Sequence, residues 1–248
     1  MVNCTFVIPA RNEADRIGNL LSVLRRALNP EQVLVVDNGS TDGTGAIARR
    51  SGARVIYEPR RGKGYAVDAG VQHTQTDLVF LCDADIERFD FTAAEVLLEN
   101  RIPGEILARL ALDRAPELAP VTYLCAQPLL KTLGFQKVSE PLGGLALVAR
   151  SFLSNTHLPG HWGFDVALTM AALQTGVAVR ELPVRNMTHR AKPLTDYKEM
   201  ATDVGRTILQ SAGLLPWDHV DCVRCSRVKI ALDNRAIDSS ERVEVTRR

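Results

Sequence analysis

Residues 78–85 read Leu-Val-Phe-Leu-Cys-Asp-Ala-Asp, an apolar run that ends in two carboxylates. A short, continuously apolar run is typical of a parallel strand buried on both faces. Open α/β sheets bind their ligands at the carboxyl ends of such strands, where Asp83 and Asp85 would lie. Side chains two positions apart in an extended chain share a face, so these carboxylates can share one hard cation. Aspartate is also common in turns and helix caps, so the flanking sequence must decide between the two roles.

The first 85 residues alternate between short apolar runs and amphipathic stretches. We predict strands at 5–8, 33–36, 54–57 and 78–82. We predict helices at 14–28 and 65–73, and between them a helix that follows the turn at 37–40 and ends at 48. The first helix has an apolar face of Ile17, Leu20, Leu21 and Leu24. Strands that alternate with helices predict a parallel sheet with right-handed crossovers. The fold class is therefore α/β, with a Rossmann-like, mostly parallel sheet flanked by helices.

The pattern is looser after Asp85. We predict helices at 93–100, 105–112, 121–133, 164–175 and 197–212, a turn at 141–144 before an apolar segment at 145–148, and a strand at 177–184. The tail after Ser226 is polar and charged. An edge strand, an oligomer arm and disorder all remain open for it.

Composition excludes several classes of protein. The chain has 248 residues, and 30 Lys and Arg balance 29 Asp and Glu, so no polybasic surface for nucleic acid or membrane is indicated. No apolar run approaches the roughly 18 residues of a membrane span. The N-terminus leads directly into a predicted strand, so no signal peptide is expected. We expect a cytoplasmic protein.

Five cysteines, at positions 4, 82, 125, 222 and 225, form a scattered set unlike a disulfide framework. Cys4 and Cys82 fall in predicted core strands. Cys222 and Cys225 form a lone Cys-x-x-Cys with His219 nearby in sequence, for which a zinc role, a redox role and no role at all remain open.

Three further loops carry candidate ligands. Pro9, Ala10, Arg11 and Glu13 follow the first strand, where they could contact a nucleoside or simply end the strand and start a helix. Asp37 and Asn38 end the second strand and could bond a base edge, while residues 40–42 could cap the next helix. In Gly62-Lys63-Gly64, the glycines allow a ligand to approach the backbone closely, and the lysine supplies a cation that can face a phosphate.

The motifs at 7–13, 36–42, 62–64 and 83–85 together resemble the nucleotide-sugar half of GT-A glycosyltransferases. The segments at 121–124, 128–130, 141–144, 163–165 and 189–194 resemble glucosyl-3-phosphoglycerate synthases more narrowly. The similarity extends from about residue 4 to about residue 213. It implies a GT-A fold with a nucleotide-sugar-binding half at 1–88, a smaller acceptor-side half of the same domain at 89–213, and a tail at 214–248.

The resemblance also implies roles for individual residues. Asp85 and His189 match metal ligands for Mg²⁺ or Mn²⁺, and Asp83 lies beside them at the donor sugar or the metal-bound groups. The implied nucleotide-sugar contacts are Pro9, Ala10, Arg11, Glu13, Asn38, Lys63, Asp83, Ala84 and Asp85. Asp37 is added to this set from its position at the end of the second strand, where we favour a ligand contact over a structural role. The implied catalytic residues are Asp85, Asp165, Lys63 and Arg190, and the implied acceptor contacts are Thr122, Gly143, Gly144, Asp165 and Lys192.

One position departs from the resembling family. Where those synthases read Gly-Arg-Val-Thr and hold the acceptor's phosphate, this chain reads Ala119-Pro120-Val121-Thr122. Proline offers neither a guanidinium nor a backbone donor. We therefore expect transfer of a hexose, favouring a UDP-sugar, to a small hydroxylated acceptor other than 3-phosphoglycerate.

Several alternatives remain open. The donor could be UDP-glucose, UDP-N-acetylglucosamine or GDP-mannose. The resemblance implies retention of anomeric configuration, whereas in an inverting reaction Asp165 is the first candidate base. The rival functions are transfer to a polyprenyl phosphate, and binding of a nucleotide sugar without transfer. We expect a homodimer and no nucleic-acid partner.

Overall fold

The computed structural model describes residues 3–113, 115–135, 138–176, 179–185, 187–188, 194–217 and 222–225. The strands in this part of the chain are β1 (Cys4–Ala10), β2 (Val33–Asp37), β3 (Arg54–Tyr57), β4 (Leu78–Cys82), β5 (Leu107–Leu112), β6 (Leu145–Ala149) and β7 (Arg180–Val184). The α-helices are α1 (Ile17–Ala27), α2 (Thr44–Arg50), α3 (Lys63–Gln72), α4 (Phe91–Glu99), α5 (Gln127–Thr132), α6 (Arg150–Asn155), α7 (Phe164–Gln174) and α8 (Leu194–Ser211).

The strands form one sheet in the order β3-β2-β1-β4-β6-β5-β7. Strands β1 to β4 pair in parallel, and β5 pairs in parallel with β7. Only β6, among the strands described, runs against its neighbours β4 and β5. The predicted α/β class with a mostly parallel sheet is confirmed, and the sheet continues across residue 88.

Apolar clusters cover both faces of the sheet, as its parallel strands require. The predicted apolar face of α1 is confirmed, since Ile17, Leu20, Leu21 and Leu24 are all buried. A third cluster packs α5, α7 and α8 together beside the sheet. Within the described residues, no helix is both long enough and apolar enough to cross a membrane.

The four strands and three helices predicted before Asp85 are all present, with ends that move by a few residues. In the second half, the segment predicted as one helix at 121–133 begins as a π-helix (Thr122–Ala126) and continues as α5. The strand predicted at 177–184 is β7, which begins at Arg180. The proposed tail after Ser226 lies outside the described residues.

The helix predicted at 105–112 is wrong, because Leu107–Leu112 is strand β5. Its residues are Leu, Ala and Arg, which all favour helices in isolation. Every one of them is buried, and β5 pairs with β6 on one side and β7 on the other. Pairing on both edges of a fully buried segment outweighs a local propensity of a few tenths of a kcal/mol per residue.

Candidate active site

A cavity of 490 Å³ opens where β1, β2 and β4 end. Its first-half wall, as we name it, consists of Pro9, Ala10, Arg11, Glu13, Asn38, Arg61, Gly62, Lys63, Asp83, Ala84, Asp85 and Ile86. Its second-half wall consists of Leu112, Leu118, Ala119, Val121, Thr122, Glu140, Leu142, Gly143, Gly144, Leu145, His161, Trp162, Asp165, Tyr197, Glu199, Met200 and Asp203. The cavity therefore brings together most of the residues predicted for the site.

Lys63 joins the two walls. Its Nζ lies 2.7 Å from Asp83 Oδ1 and 2.7 Å from Asp165 Oδ2. Lys63 begins α3, while Asp165 lies in the first turn of α7, so the ion pairs connect distant parts of the chain. Burial opposes the charged ammonium, but the carboxylates of Asp165 and Asp83 raise the pKa of Lys63 above its usual range. Lys63 therefore remains a cation.

Glycine at position 144 lets the inverted strand β6 begin directly against Asp83. Leu145 is paired with Cys82, so the start of β6 and the end of β4 meet at one edge of the sheet. A Cβ atom at Gly144 would lie 1.8 Å from Asp83 Oδ2. Any side chain there would displace the carboxylate, so the residue pair fixes the shape of this part of the cavity.

The carboxylates of Asp85 and Glu13 lie in the same wall. Asp85 is half-buried and follows β4 by three residues. Burial raises the pKa of Glu13 although Arg16 Nη1 donates to its Oε2 at 3.0 Å, and the charge of Asp85 contributes to the same rise. Carboxylate oxygens of this kind are the donors that Mg²⁺ and Mn²⁺ prefer.

Asn38 organises the loop that leads to Lys63. Its amide nitrogen donates to the carbonyls of Glu58 and Arg60 at 3.0 and 2.7 Å. Its Oδ1 accepts a hydrogen bond from the Gly62 backbone N–H at 2.8 Å. Both amide donors are thus engaged within the protein, and the side chain holds the loop in place at the cavity wall.

Asp37 is placed differently from its neighbour. It does not line the cavity. Its Oδ1 accepts a hydrogen bond from Ser40 N at 3.0 Å, and its Oδ2 would lie 2.3 Å from a Cβ at Gly45. Asp42 accepts from Thr44 N at 3.0 Å, but the N-cap position of α2 is Gly43, so none of residues 40–42 is the N-cap.

The two glycines around Lys63 pack against the loop before α7. Gly64 N donates to Gly160 O at 2.8 Å, and a Cβ at Gly64 would lie 2.0 Å from Pro159 O. Gly62 has a φ of 144° and would place a Cβ 2.2 Å from Gly160 O. This close backbone packing positions Lys63 between its two carboxylates.

The second-half wall has a different chemical character. Most of its side chains are apolar, and its carboxylates are Glu140, Asp165, Glu199 and Asp203. Among the described residues of this wall there is no lysine or arginine. The predicted acceptor contacts Thr122, Gly143, Gly144 and Asp165 all line the cavity, whereas the predicted ligands and contacts His189, Arg190 and Lys192 lie outside the described residues.

Sequence reasoning missed several wall residues. His161 and Trp162 directly precede the Gly-Phe-Asp motif at 163–165, which is a signal that was available. Glu199 and Asp203 are one helical turn apart on α8, and nothing in sequence connects that helix to the first-half motifs.

Arg109, inside the strand that had been predicted as a helix, lies buried behind the second-half wall. Its Nη1 donates to the carbonyl oxygen of Glu140. Its Nε and Nη2 have no hydrogen-bond partner among the described residues. Burial lowers the pKa of Arg109, and the charges of Asp165, Glu181 and Glu140 oppose that shift. Arg109 therefore supports the turn at 140–144 from beneath.

Comparison with known proteins gives concordant matches. Residues 5–97 match the family model described as glycosyl transferase family 2. The glucosyl-3-phosphoglycerate synthase of Mycolicibacterium smegmatis is 27% identical over 235 residues, covering 84% of this chain and 77% of that protein. A dolichyl-phosphate beta-glucosyltransferase of Trichomonas vaginalis is 30% identical over 214 residues, covering 74% of this chain and 63% of that protein.

Solved structures match over the same range. The glucosyl-3-phosphoglycerate synthase of Mycobacterium tuberculosis, in complex with Mn²⁺, UDP and glucosyl-3-phosphoglycerate, has a TM-score of 0.80 and 26% identity. The match covers 86% of this chain and 81% of that one. A second structure of the same synthase, with Mg²⁺ and UDP, has a TM-score of 0.79. The predicted GT-A type of fold is confirmed by these matches.

Proposed function

The chain is a glycosyltransferase with a glycosyl transferase family 2 domain and glucosyl-3-phosphoglycerate synthases among its homologues, and we propose that it moves a hexose from a UDP-sugar to a small hydroxylated acceptor that carries no phosphate. The observation that carries the proposal is the contrast between the walls of one cavity. The first-half wall carries Arg11, Arg61 and Lys63, whereas the described second-half wall has no such cation.

The donor is proposed to lie against the first-half wall, within residues 1–88. The mycobacterial relatives bind UDP or UDP-glucose, which supports a uridine donor here. Arg11, Arg61 and Lys63 supply positive charge for a diphosphate, and Pro9, Ala10 and Glu13 line the adjoining surface. Asn38 acts through the loop that it holds, since its amide donors are already engaged.

A divalent cation fits the donor set of this wall. Asp85 offers a half-buried carboxylate, while Asp83 has Oδ1 paired with Lys63 and Oδ2 packed at Gly144. We therefore assign Asp85 as the principal described ligand for Mg²⁺ or Mn²⁺, and His189 as a further ligand from outside the described residues. When bound, such an ion neutralises charge on the departing diphosphate as a Lewis acid.

Lys63 and Asp165 would position the transferred sugar. The Lys63 ammonium is fixed by two carboxylates and stabilises negative charge without having to reorganise. Asp165 already accepts a hydrogen bond from Lys63 at 2.7 Å. Burial raises the pKa of the Asp165 carboxyl, while the Lys63 ammonium opposes that rise and occupies Oδ2. Because Oδ2 is already paired with a cation, we propose that Asp165 positions groups rather than accepting a proton, and that the reaction proceeds with retention, with the departing phosphate taking the proton of the acceptor.

The acceptor is proposed to lie against the second-half wall, within residues 89–213. A phosphorylated acceptor would face Glu140, Glu199 and Asp203 with no lysine or arginine among the described wall residues, and like charges repel. Apolar side chains such as Leu142, Met200 and Trp162 favour a hydroxylated molecule with apolar surface. A neutral or amine-bearing alcohol is therefore the acceptor class that matches this wall.

The test is a two-part assay of nucleoside diphosphate release with Mn²⁺. Without an acceptor, slow hydrolysis of UDP-glucose, compared with UDP-N-acetylglucosamine and GDP-mannose, establishes the donor independently of the acceptor. With the preferred donor, a panel then compares 3-phosphoglycerate with neutral polyols and amino alcohols. Faster release with 3-phosphoglycerate than with any uncharged or amine-bearing alcohol would contradict the acceptor proposal, and no release with any donor would contradict transfer itself. Proton NMR of the product gives its anomeric configuration.

A lipid-phosphate acceptor is the second candidate, and one observation favours it. The Trichomonas relative is named a dolichyl-phosphate beta-glucosyltransferase. Such an acceptor also carries a phosphate, so the acidic second-half wall opposes it for the same reason. Adding a short-chain polyprenyl phosphate to the panel distinguishes the two.

A further inference from the structure

A cluster of metal-binding side chains lies away from the cavity. His157, Cys222 and Cys225 each offer one ligand atom, and these atoms all lie within 4.8 Å of one another. The sequence motif Cys-x-x-Cys supplies two of them, and the fold adds an imidazole from a residue 65 positions earlier. None of the three residues lines the cavity.

The distances fit a tetrahedral metal ion. His157 Nδ1 lies 3.3 Å from Cys222 Sγ and 3.7 Å from Cys225 Sγ. Ligands bound to Zn²⁺ at about 2.0–2.1 Å for nitrogen and about 2.3 Å for sulfur are separated by about 3.6 Å at the tetrahedral angle. The observed separations bracket that value, so an ion can enter without large movement of the side chains.

We propose that His157, Cys222 and Cys225 bind a zinc ion that fastens the 222–225 segment to the loop before α7. Two thiolates and an imidazole are soft to borderline donors, which select Zn²⁺ over Mg²⁺ or Mn²⁺. The fourth position is filled by water or by another side chain. Binding of Zn²⁺ releases the thiol protons, because the ligand form of cysteine is the thiolate.

Other contacts already bring this segment to that loop. Cys222 forms an antiparallel bridge with Pro159, and Val223 N donates to Leu158 O at 3.0 Å. Val223 is buried in the cluster that contains Leu158, and Arg224 Nη1 donates to Asn155 O at 2.8 Å. The proposed ion would therefore bind between two backbone segments that already contact each other.

The position of the cluster connects it to the active site. The loop from His157 to Gly163 includes Pro159 and Gly160, whose carbonyls contact the glycines on either side of Lys63. The same loop carries His161 and Trp162 in the cavity wall. The proposed ion thus stabilises the backbone that positions Lys63, without touching the substrates.

The test measures metal in the untagged 248-residue chain, purified without chelators from zinc-supplemented medium. We expect about one zinc per chain by elemental mass spectrometry, and loss of most of it in Cys222→Ser, Cys225→Ser and His157→Ala. Cys125→Ser is the matched control, because Cys125 is a half-buried free cysteine elsewhere. Asp85→Ala should retain its zinc, which separates this site from the donor site.

A second measurement, made on wild-type protein, tests the site even if the variants do not fold. Apo wild-type protein titrated with Co²⁺ should develop the sulfur-to-cobalt charge-transfer and intense visible bands of a tetrahedral thiolate site. Chelator should lower the thermal midpoint of wild-type protein and leave that of Cys222→Ser unchanged. Equal zinc content in wild type and in the Cys222→Ser/Cys225→Ser double variant would overturn the proposal. So would a Cys222–Cys225 disulfide, mapped without reduction, in wild-type protein that contains no metal.

Discussion

The two walls of the cavity differ in how their side chains are held and in the charge that they present. In the first-half wall, Lys63 is held between Asp83 and Asp165, and Asn38 and three glycine contacts hold the loop around it. The second-half wall is built from helix faces and turns, and is apolar and acidic among its described residues. Under the proposed function, the first-half wall would hold the donor, and the apolar and acidic second-half wall would select the acceptor.

The sharpest test of the first-half wall is removal of its carboxylate at position 85. Asp85→Ala should lower turnover on the order of a thousandfold, since charge on the leaving diphosphate would lose its principal stabilisation. The thermal midpoint should change little, because Asp85 is only half-buried. Steady-state UDP release and calorimetry measure both. Glu95→Gln, an exposed carboxylate on α4, is the control, and near-normal turnover in Asp85→Ala would contradict the metal assignment.

Lys63→Met should damage both activity and folding. It leaves Asp83 and Asp165 facing each other without their shared cation, and breaking a buried ion pair in this way costs about 3 kcal/mol. The value lies at the low end of the usual range because the Asp83 side chain is 30% exposed. Turnover should fall by roughly a hundredfold.

Urea denaturation measures the change in the free energy of unfolding for this variant. Lys131→Met, at an exposed position of α5, is the matched control and should leave that free energy unchanged. Unaltered stability of Lys63→Met would show that the walls are joined by something other than this ion pair.

Pro120 lies between Ala119 and Val121 of the second-half wall, and it can be substituted to make that region more positive. Pro120→Arg places a guanidinium where the resembling synthases have one, and a charge-assisted contact to phosphate is worth about 1.5–3 kcal/mol. We expect the rate with 3-phosphoglycerate, relative to that with the best uncharged acceptor, to rise about tenfold. Pro120→Leu separates the effect of removing proline from that of adding charge. If the ratio of the two rates did not change, residues other than the one at position 120 would have to recognise the acceptor's charge.

The smallest expected effect concerns the loop behind Lys63. Burial opposes ionisation of Glu58, but hydrogen bonds from the Arg60 side chain and backbone lower the pKa of Glu58 below its ordinary 4.5. The unfolded chain therefore takes up this proton at a higher pH than the folded one does. The stabilisation is present above pH 4.5 and is lost as the pH falls through the lower, folded-state value.

Glu58→Gln should accordingly have a lower thermal midpoint than wild type at about pH 7, and the difference should shrink toward about pH 3. Glu95→Gln again serves as the control. A difference that does not depend on pH would assign the loss to packing rather than to charge.

Sequence was sufficient for the first half, because its signals are local. Each strand is a short apolar run followed by a polar motif, and parallel strands necessarily bring those motifs to one edge. The Asp-x-Asp segment and the Gly-Lys-Gly loop could therefore be assigned to one cavity before the fold was known. What sequence did not reveal is that Asn38 holds a loop by all of its amide donors rather than leaving them for a base.

The second half depends on contacts that are distant in sequence. Strand β5 has helix-forming residues and becomes a strand only because β6 and β7 flank it. Arg109 is buried in that strand, a position that composition alone disfavours for a charged residue. Glu199 and Asp203 enter the wall through the packing of α8 on α7 and the π-helix. No local pattern encodes these arrangements.

The bond between Lys63 and Asp165 spans 102 residues, which has a consequence for how the enzyme is made. During synthesis the first four strands leave the ribosome well before α7 does, so the motifs of the first-half wall can assemble while Asp165 is still untranslated. A nascent chain at that stage would have Lys63 paired with Asp83 alone. Completion of the active site is therefore a late event of biogenesis, and a truncated chain that stops before α7 should fold in part yet transfer no sugar.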